Sequence, residues 1–534
     1  MRKSLIGLVY ASAALALAAG PAASQTVPIE AKAAPSASSW PRVTQPADPG
    51  PRQYSARARG TFAGRTVRYM ATLSELLVKD RAGKAASSLF ITSFAGDPAP
   101  GPVDRPVLFI FNGGPGGSSN TLMFGALGPE RLQRFDAAAR SDPDTSVVAN
   151  EDTVLDVADL VFIDAPETGF GRPLPGSDPT TFRSNDGDSF AFSQVILRWL
   201  NDAHRMSSPV YIVGESYGSI RAVALARDLS AATPPVELAG LILVSQALRY
   251  NGPDDLAIKH VDDAVRLINA LPDIAALSWY HGLVENRTQT LAQAIATAQD
   301  YAVSEYAQVL LAGDRLSVTD RWRAAERLSA LTGLSVDFLM ANNLRLENVR
   351  RQLLAGRNLA LDQFDGRDTE PLQGAPEDAD RDWVKATRGL THASERLASE
   401  TFGAKGLPPY RTIVPDPYGF EKTWKYVTAP APGSDLILRE QMTANPRLRL
   451  LVTQGVFDTT TPMGETDFLF SQLGAAKDRT AMARYIGGHM LYSDDAGRRA
   501  FLNDLRAFLT GQPLSSRGVP SATPGTPARD RGAR

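Results

Sequence analysis

Val210-Tyr-Ile-Val-Gly-Glu-Ser-Tyr-Gly-Ser219 is the stretch from which the rest of the chain can be read. Val210, Tyr211, Ile212 and Val213 form an apolar, largely β-branched run that predicts a buried strand. Ile220-Arg-Ala-Val-Ala-Leu-Ala-Arg-Asp-Leu229 is a good helix former. Between them stands Gly214-Glu-Ser-Tyr-Gly218. Two residues without a Cβ let strand and helix crowd around a sharp turn, which lifts the Ser216 hydroxyl clear of the backbone. The helix start adds partly positive N–H groups beside it. The same five residues could stand in an ordinary strand-to-helix turn, but the flanking strand and helix favour an exposed nucleophile.

Pro106-Val-Leu-Phe-Ile-Phe-Asn112 is a continuous apolar strand that runs straight into Gly113-Gly-Pro-Gly-Gly-Ser-Ser119. Asp159-Leu-Val-Phe-Ile-Asp-Ala165, Leu238-Ala-Gly-Leu-Ile-Leu-Val-Ser245 and Leu448-Arg-Leu-Leu-Val-Thr-Gln454 repeat the pattern. Continuous apolar strands separated by helical stretches imply an α/β fold whose mostly parallel sheet is covered by helices on both faces. Short β-like runs before it (Arg59–Phe62, Thr66–Met70, Ser88–Thr92) predict antiparallel strands leading that sheet.

The ends and middle differ in character. Arg2-Lys3, then Leu5 to Ala19, then small residues around Ala22-Ala-Ser24 predict a secretory leader over 1–24. This implies an exported protein, periplasmic or secreted, with no stable membrane insertion once the leader is removed. Residues 25–52 are rich in Ala, Pro and Ser and predict a disordered linker. The core is expected in two parts, 53–250 and 428–511. Between them, 251–427 is largely helical and charged, as expected of a helical cap over a pocket. A polar tail, 512–534, is expected to be disordered.

Composition removes several function classes. The 534-residue chain has 43% hydrophobic and 21% charged residues and a formal net charge of -2, with no basic stripe, which argues against nucleic acid as a partner. It lacks phosphate-loop, zinc-protease and dinucleotide fingerprints, so no cofactor or metal is expected. With Cys 0, thiolate catalysis and disulfides are excluded. The oligomeric state is not encoded in any feature found.

An alcohol nucleophile needs a base, and the chain has His 5. His204 precedes the elbow strand, and His260, His281 and His392 fall in the cap-like region. His489, in Tyr485-Ile-Gly-Gly-His-Met490, alone follows all the core strands, where a Ser, acid, His order requires it. The acid should follow a core strand shortly before. Asp458, in Gly455-Val-Phe-Asp-Thr-Thr-Thr-Pro462, fits, though an Asx-turn residue ahead of the next helix would look the same. Two N–H donors must face the oxyanion. Tyr217, after the nucleophile, and Gly114, in the Gly-rich loop, are the candidates.

Taken together, Phe111-Asn-Gly-Gly-Pro-Gly-Gly-Ser-Ser119, Leu127-Gly-Pro129, Asp164-Ala-Pro-Glu-Thr-Gly-Phe170, Gly214-Glu-Ser-Tyr-Gly218 and Gly488-His-Met490 resemble the serine carboxypeptidase family over roughly residues 54–510. The resemblance implies an α/β-hydrolase fold that removes C-terminal amino acids from peptides. It also implies a Ser216, Asp458 and His489 triad with Gly114 and Tyr217 as the oxyanion hole. It further implies that Asn112, Gly113 and Glu215 recognise the substrate's terminal carboxylate. A protonated Glu215 can donate to a carboxylate that an ionised one would repel. Tighter peptide binding is therefore expected below about pH 6, since an unperturbed Glu titrates near 4.3. Three positions depart from the family pattern. Its second glutamate is Ala126 here, a loss expected to leave Glu215 with a less raised pKa and to weaken carboxylate recognition. Its Gly-loop cysteine is Gly117. Its Val-Gly before Thr-Gly-Phe is Glu167, expected to be a solvated loop charge unless it alters the pocket. Peptide substrates are the expected partners. An esterase or acyltransferase on the same scaffold, and a non-catalytic binding protein, are the competing readings.

Overall fold

Every residue of Val107–Phe111 is buried, and alternate side chains serve opposite faces of the sheet. Leu108 and Ile110 belong to one apolar cluster, Val107, Phe109 and Phe111 to another. That two-sided burial is why the strand reads as unbroken hydrophobic sequence.

The computed structural model describes residues 51–97, 105–135, 145–250, 264–284, 288–373, 387–426, 433–474 and 477–522, all within one compact unit. Among them, nine strands form the main sheet. They are β1 (Gln53–Phe62), β2 (Arg65–Lys79), β3 (Ala85–Gly96), β4 (Val107–Phe111), β5 (Asp159–Ile163), β6 (Val210–Glu215), β7 (Leu238–Val244), β8 (Arg449–Gly455) and β9 (Thr480–Tyr485). In space the order is β1-β2-β3-β5-β4-β6-β7-β8-β9. Pairing is antiparallel as far as β5 and parallel from there on. The crossover that puts β4 between β5 and β6 brings the loop after β4 beside the loop after β6.

The longer helices are α1 (Asn185–Asp202), α2 (Tyr217–Ser230), α3 (Ala264–Tyr280), α4 (Leu291–Tyr301), α5 (Val318–Thr332), α6 (Arg388–Arg396), α7 (Ser434–Ala444), α8 (Met463–Gln472) and α9 (Asp495–Thr510). Helices α1, α2 and α7 cover one face, where Phe192, Val223 and Leu438 are buried. Phe501, Leu502 and Leu505 of α9 cover the other. Local signals set the helix ends. The Ser184 hydroxyl accepts from Gly187 N–H before α1, and Asp494 does the same for Gly497 before α9. Gly511, in a left-handed conformation, ends α9.

Several expectations need correction. Edge strand β9 was not anticipated, because Thr480-Ala-Met-Ala-Arg-Tyr485 is only half-buried and lacks an apolar run. The region 251–427 does not act as one cap. Helices α3, α4 and α5 build their own apolar cluster, joined to the core through Val456, Phe457 and Met463. Leu390, Ala393, Phe402 and Tyr410 instead pack into the core cluster of the sheet. A two-stranded ladder, Leu359–Leu361 with Thr369–Pro371, also lies there. The tail is not disordered from residue 512. Leu514 is buried, Ser515 donates from N–H and Oγ to Asp504, and Arg484 N–H donates to Ser516 O. The leader over 1–24, the linker up to residue 50, and residues 523–534 lie outside the described residues. Among the described residues, no helix is long and apolar enough to cross a membrane.

Candidate active site

The turn between β6 and α2 holds Ser216 at φ 55°, ψ -127°. This is a left-handed backbone that a non-glycine residue adopts only where its surroundings impose it, at a cost on the order of 1–3 kcal/mol. Ser216 N–H donates to Val244 O at 2.9 Å and Ser219 N–H to Ser216 O at 2.9 Å, which fixes the turn from both sides. The close approach explains the first glycine: a Cβ on Gly214 would lie 2.1 Å from Gly218 O. Tyr217 opens α2, so its N–H is one of those a helix start leaves unpaired.

The loop after β4 lies against this turn. A Cβ on Gly113 would stand 2.6 Å from Tyr217 N, so only glycine lets the two backbones meet. Gly114 follows at φ 113°. Arg221, in α2, donates from Nη1 to Asn112 O at 2.8 Å and from Nε to Asp188 Oδ2 at 2.6 Å. Both members of that ion pair are fully buried. The far end of the loop is pinned by Asp164, whose carboxylate accepts from Ser119 N–H, Ser119 Oγ and Tyr410 Oη. Burial pushes the Asp164 carboxyl up to about 6, against the pull of those donors. The Asp164-Ala-Pro166 motif thus has a structural duty that the sequence did not disclose.

Across from the elbow, His489 Nδ1 lies 3.0 Å from Asp458 Oδ2. Both readings of Asp458 hold at once. Its Oδ1 accepts from Thr460 and Thr461 N–H at 2.8 Å, an Asx turn, while Oδ2 faces the imidazole and also accepts from Gln454 and Thr461. Burial, the largest influence on His489, favours its neutral form. The negative charge and hydrogen bond of Asp458, with Glu215 behind, outweigh it and raise the imidazole above its ordinary pKa. Ser245 Oγ donates to His489 O, and His489 N–H donates to Phe364 O at 2.7 Å, with the two rings stacked 5.9 Å apart.

Ser216, Tyr217, Glu215, Asn112, Gly113, Gly114, Asp458 and His489 all line one cavity of about 800 Å³. The structure thus brings together every site residue anticipated from the sequence. Of the other histidines, His281 is buried and bonded to Gly366 O, His204 and His392 are exposed, and His260 lies outside the described residues. Gln454, Thr461, Phe364 and Tyr492 were missed. Thr461 could have been suspected from the Thr459-Thr-Thr461 run beside Asp458; the other three carry no local signal.

Glu215 is buried beneath this arrangement. Burial is the main influence and moves its carboxyl up to about 7, opposed by His489, Tyr492 and Asn112. The position of the absent second glutamate, Ala126, is fully buried. Glu167 is not a solvated charge. It forms a two-pronged ion pair with Arg183 at 2.9 and 2.8 Å, and it does not line the main cavity. The Arg183 guanidinium in turn lies 4.7 Å from the centre of the Phe420 ring.

Residues 82–308 match the family model described as serine carboxypeptidase. Over that span the chain is similar to the serine carboxypeptidases. The matched span contains the Gly loop and the elbow, and ends before Asp458 and His489. Two curated relatives from Arabidopsis thaliana are serine carboxypeptidase-like 8, 30% identical over 27% of this chain and 33% of its own, and serine carboxypeptidase-like 25, 26% identical over 35% and 36%. The alignments thus span about a third of the curated relatives. Among solved structures, Kex1(Δ)p, a prohormone-processing carboxypeptidase from Saccharomyces cerevisiae, superposes with TM-score 0.51 at 13% identity, covering 82% of this chain and 91% of that one. Likeness at that identity speaks for the α/β-hydrolase fold shared with the serine carboxypeptidases.

Proposed function

We propose that the protein is an exported serine carboxypeptidase that releases single residues from peptide C-termini. Ser216 Oγ attacks the last peptide carbonyl while His489 Nε2 takes its proton and Asp458 stabilises the resulting imidazolium. The oxyanion faces the N–H groups of Gly114 and Tyr217. As the intermediate collapses, His489 returns the proton to the leaving amine and a free amino acid departs. Water then attacks the acyl-enzyme, giving its proton to His489, and the shortened peptide leaves from Ser216.

One observation carries the reading: the strained Ser216 turn and the His489–Asp458 pair, 3.0 Å apart, open onto the same cavity. What favours an exopeptidase over an esterase is Glu215, which borders that cavity with its carboxyl moved up to about 7, so that below that pH it can donate to a terminal carboxylate. Asn112 and Gly113 would complete the carboxylate site. The leader-like start, Arg2-Lys3 followed by Leu5–Ala19, supports export.

The test is a peptide and its C-terminally amidated twin, with products read by mass. The expected result is stepwise loss of single C-terminal residues from the acid at pH 6 and much slower cleavage of the amide. Equal rates on both would favour an esterase or acyltransferase reading, consistent with Ala126.

A further inference from the structure

The Glu215 carboxyl is held by a group outside the residues already assigned. Tyr492 is buried, and its Oη donates to Glu215 Oε2 at 2.5 Å. Its ring stacks on Phe135 at 5.8 Å and packs beside Phe501, so the phenol has one direction to point. Space for the ring is made by a glycine: a Cβ on Gly125 would fall 2.6 Å from Tyr492 Cε2. The Asn112 carboxamide oxygen accepts from Leu122 N–H at 3.0 Å, which turns its NH₂ end toward the oxygens of Glu215 and Tyr492. Glu215, Asn112 and Phe135 border the cavity, while Tyr492 stands behind them.

We propose that Tyr492 is a positioning residue for carboxylate recognition: its hydroxyl occupies Oε2 of Glu215, so that the acid proton sits on Oε1 and is offered to the terminal carboxylate of a peptide. A carboxyl with both oxygens free can carry its proton on either and can rotate. One oxygen bound by a phenol donor is committed as an acceptor, and the other is left to donate. Among the described residues, the other titratable groups that act on Glu215 are His489, which favours its ionised form, and Asp458, which opposes it. The Tyr492 hydroxyl also favours the ionised form, so its loss moves the Glu215 titration to higher pH.

The inference rests on the carboxypeptidase reading, and the experiment separates the two. Tyr492→Phe keeps the ring and removes only the donor. The ratio of kcat/KM for a peptide acid to that for its amide is measured against pH for wild type and Tyr492→Phe. This ratio does not depend on how much of a preparation is folded. The expected result is a roughly 10-fold smaller preference for the acid below pH 6, carried by KM, together with a preference that persists to higher pH than in wild type. Glu215→Gln, whose carboxamide does not ionise, should flatten the pH dependence of the ratio, and the further Tyr492→Phe change should not restore it. A wild-type enzyme without acid preference would remove the carboxypeptidase reading itself. Wild-type preference with an unaltered ratio and pH profile in Tyr492→Phe would overturn the role of Tyr492 alone.

Discussion

On the elbow side of the cavity, backbone does the positioning: Ser216 at positive φ, Gly214 and Gly113 in contacts no Cβ would allow, and an N–H offered by the first residue of α2. On the other side, side chains and a borrowed segment do it. The loop 362–368, which belongs to the inserted region, accepts from His489 N–H through Phe364 O and from Thr459 and Thr460 hydroxyls through Asp362 O and Gln363 O. Gly366 N–H donates back to Phe457 O. Arg367 pairs with Asp365 within that loop at 2.6 Å and ties the loop to Asp494 at 3.2 Å. The Ser216 turn is thus fixed by close backbone contacts, whereas His489 is held by a segment more than a hundred residues away in sequence.

The largest effect expected is on the elbow side. Ser216→Ala should lower peptide hydrolysis by a factor on the order of 10⁴ or more, with unfolding unchanged or slightly delayed, because Ala removes the nucleophile and nothing that packs. Steady-state kinetics and a thermal scan check both halves; near-normal turnover would place the nucleophile elsewhere.

Next comes the buried pair beneath the elbow. Arg221→Met leaves the buried Asp188 charge with only the Tyr217 hydroxyl to answer it and frees Asn112 O, at a cost of about 3–5 kcal/mol in urea unfolding. A loss below about 1 kcal/mol would mean that the Gly loop is held by packing rather than by this arginine.

The brace should matter for rate more than for stability. Arg367→Ala is expected to lower kcat about 10-fold with a small change in Tm, since the helices of the inserted region keep their own apolar cluster. If kcat were unchanged, the 362–368 loop would be a passenger, and the two sides of the site would not differ as argued.

This asymmetry also explains what the sequence could convey. Fold class and strands β4 to β8 were legible because two-sided strands carry no polar interruption; the eight candidate site residues, which line one cavity, could be named from the elbow motif, the Gly-rich loop, the Ser, acid, His order and, for Asn112, Gly113 and Glu215, the family resemblance alone. The brace and Tyr492 were not, because Phe364 meets His489, and Tyr492 meets Glu215, only after distant elements pack. Strand β9 was missed for another reason: an edge strand, half exposed, carries no continuous apolar run. Residues 512–522 read as tail because they owe their place to Asp504 and Arg484, not to their own composition.

The smallest effect is a change of pH dependence. In wild type, apparent affinity for peptide acids should fall as pH rises through about 7, where Glu215 ionises. Glu215→Gln should flatten that fall between about pH 5 and 8. Since the folded-state pKa of Glu215 is raised, its contribution to stability is complete below the ordinary glutamate range and is lost as pH rises through about 7. Glu215→Gln should therefore be the more stable protein at pH 8, by roughly 1–3 kcal/mol. A peptide affinity that is already flat in wild type would mean that Glu215 does not meet the carboxylate.

The most direct test of the central claim is labelling with a fluorophosphonate followed by peptide mapping. A serine activated by His489 should yield one adduct, on Ser216, formed rapidly in wild type and at least 100-fold more slowly in His489→Ala. An adduct on another residue, or a labelling rate indifferent to His489, would contradict the account.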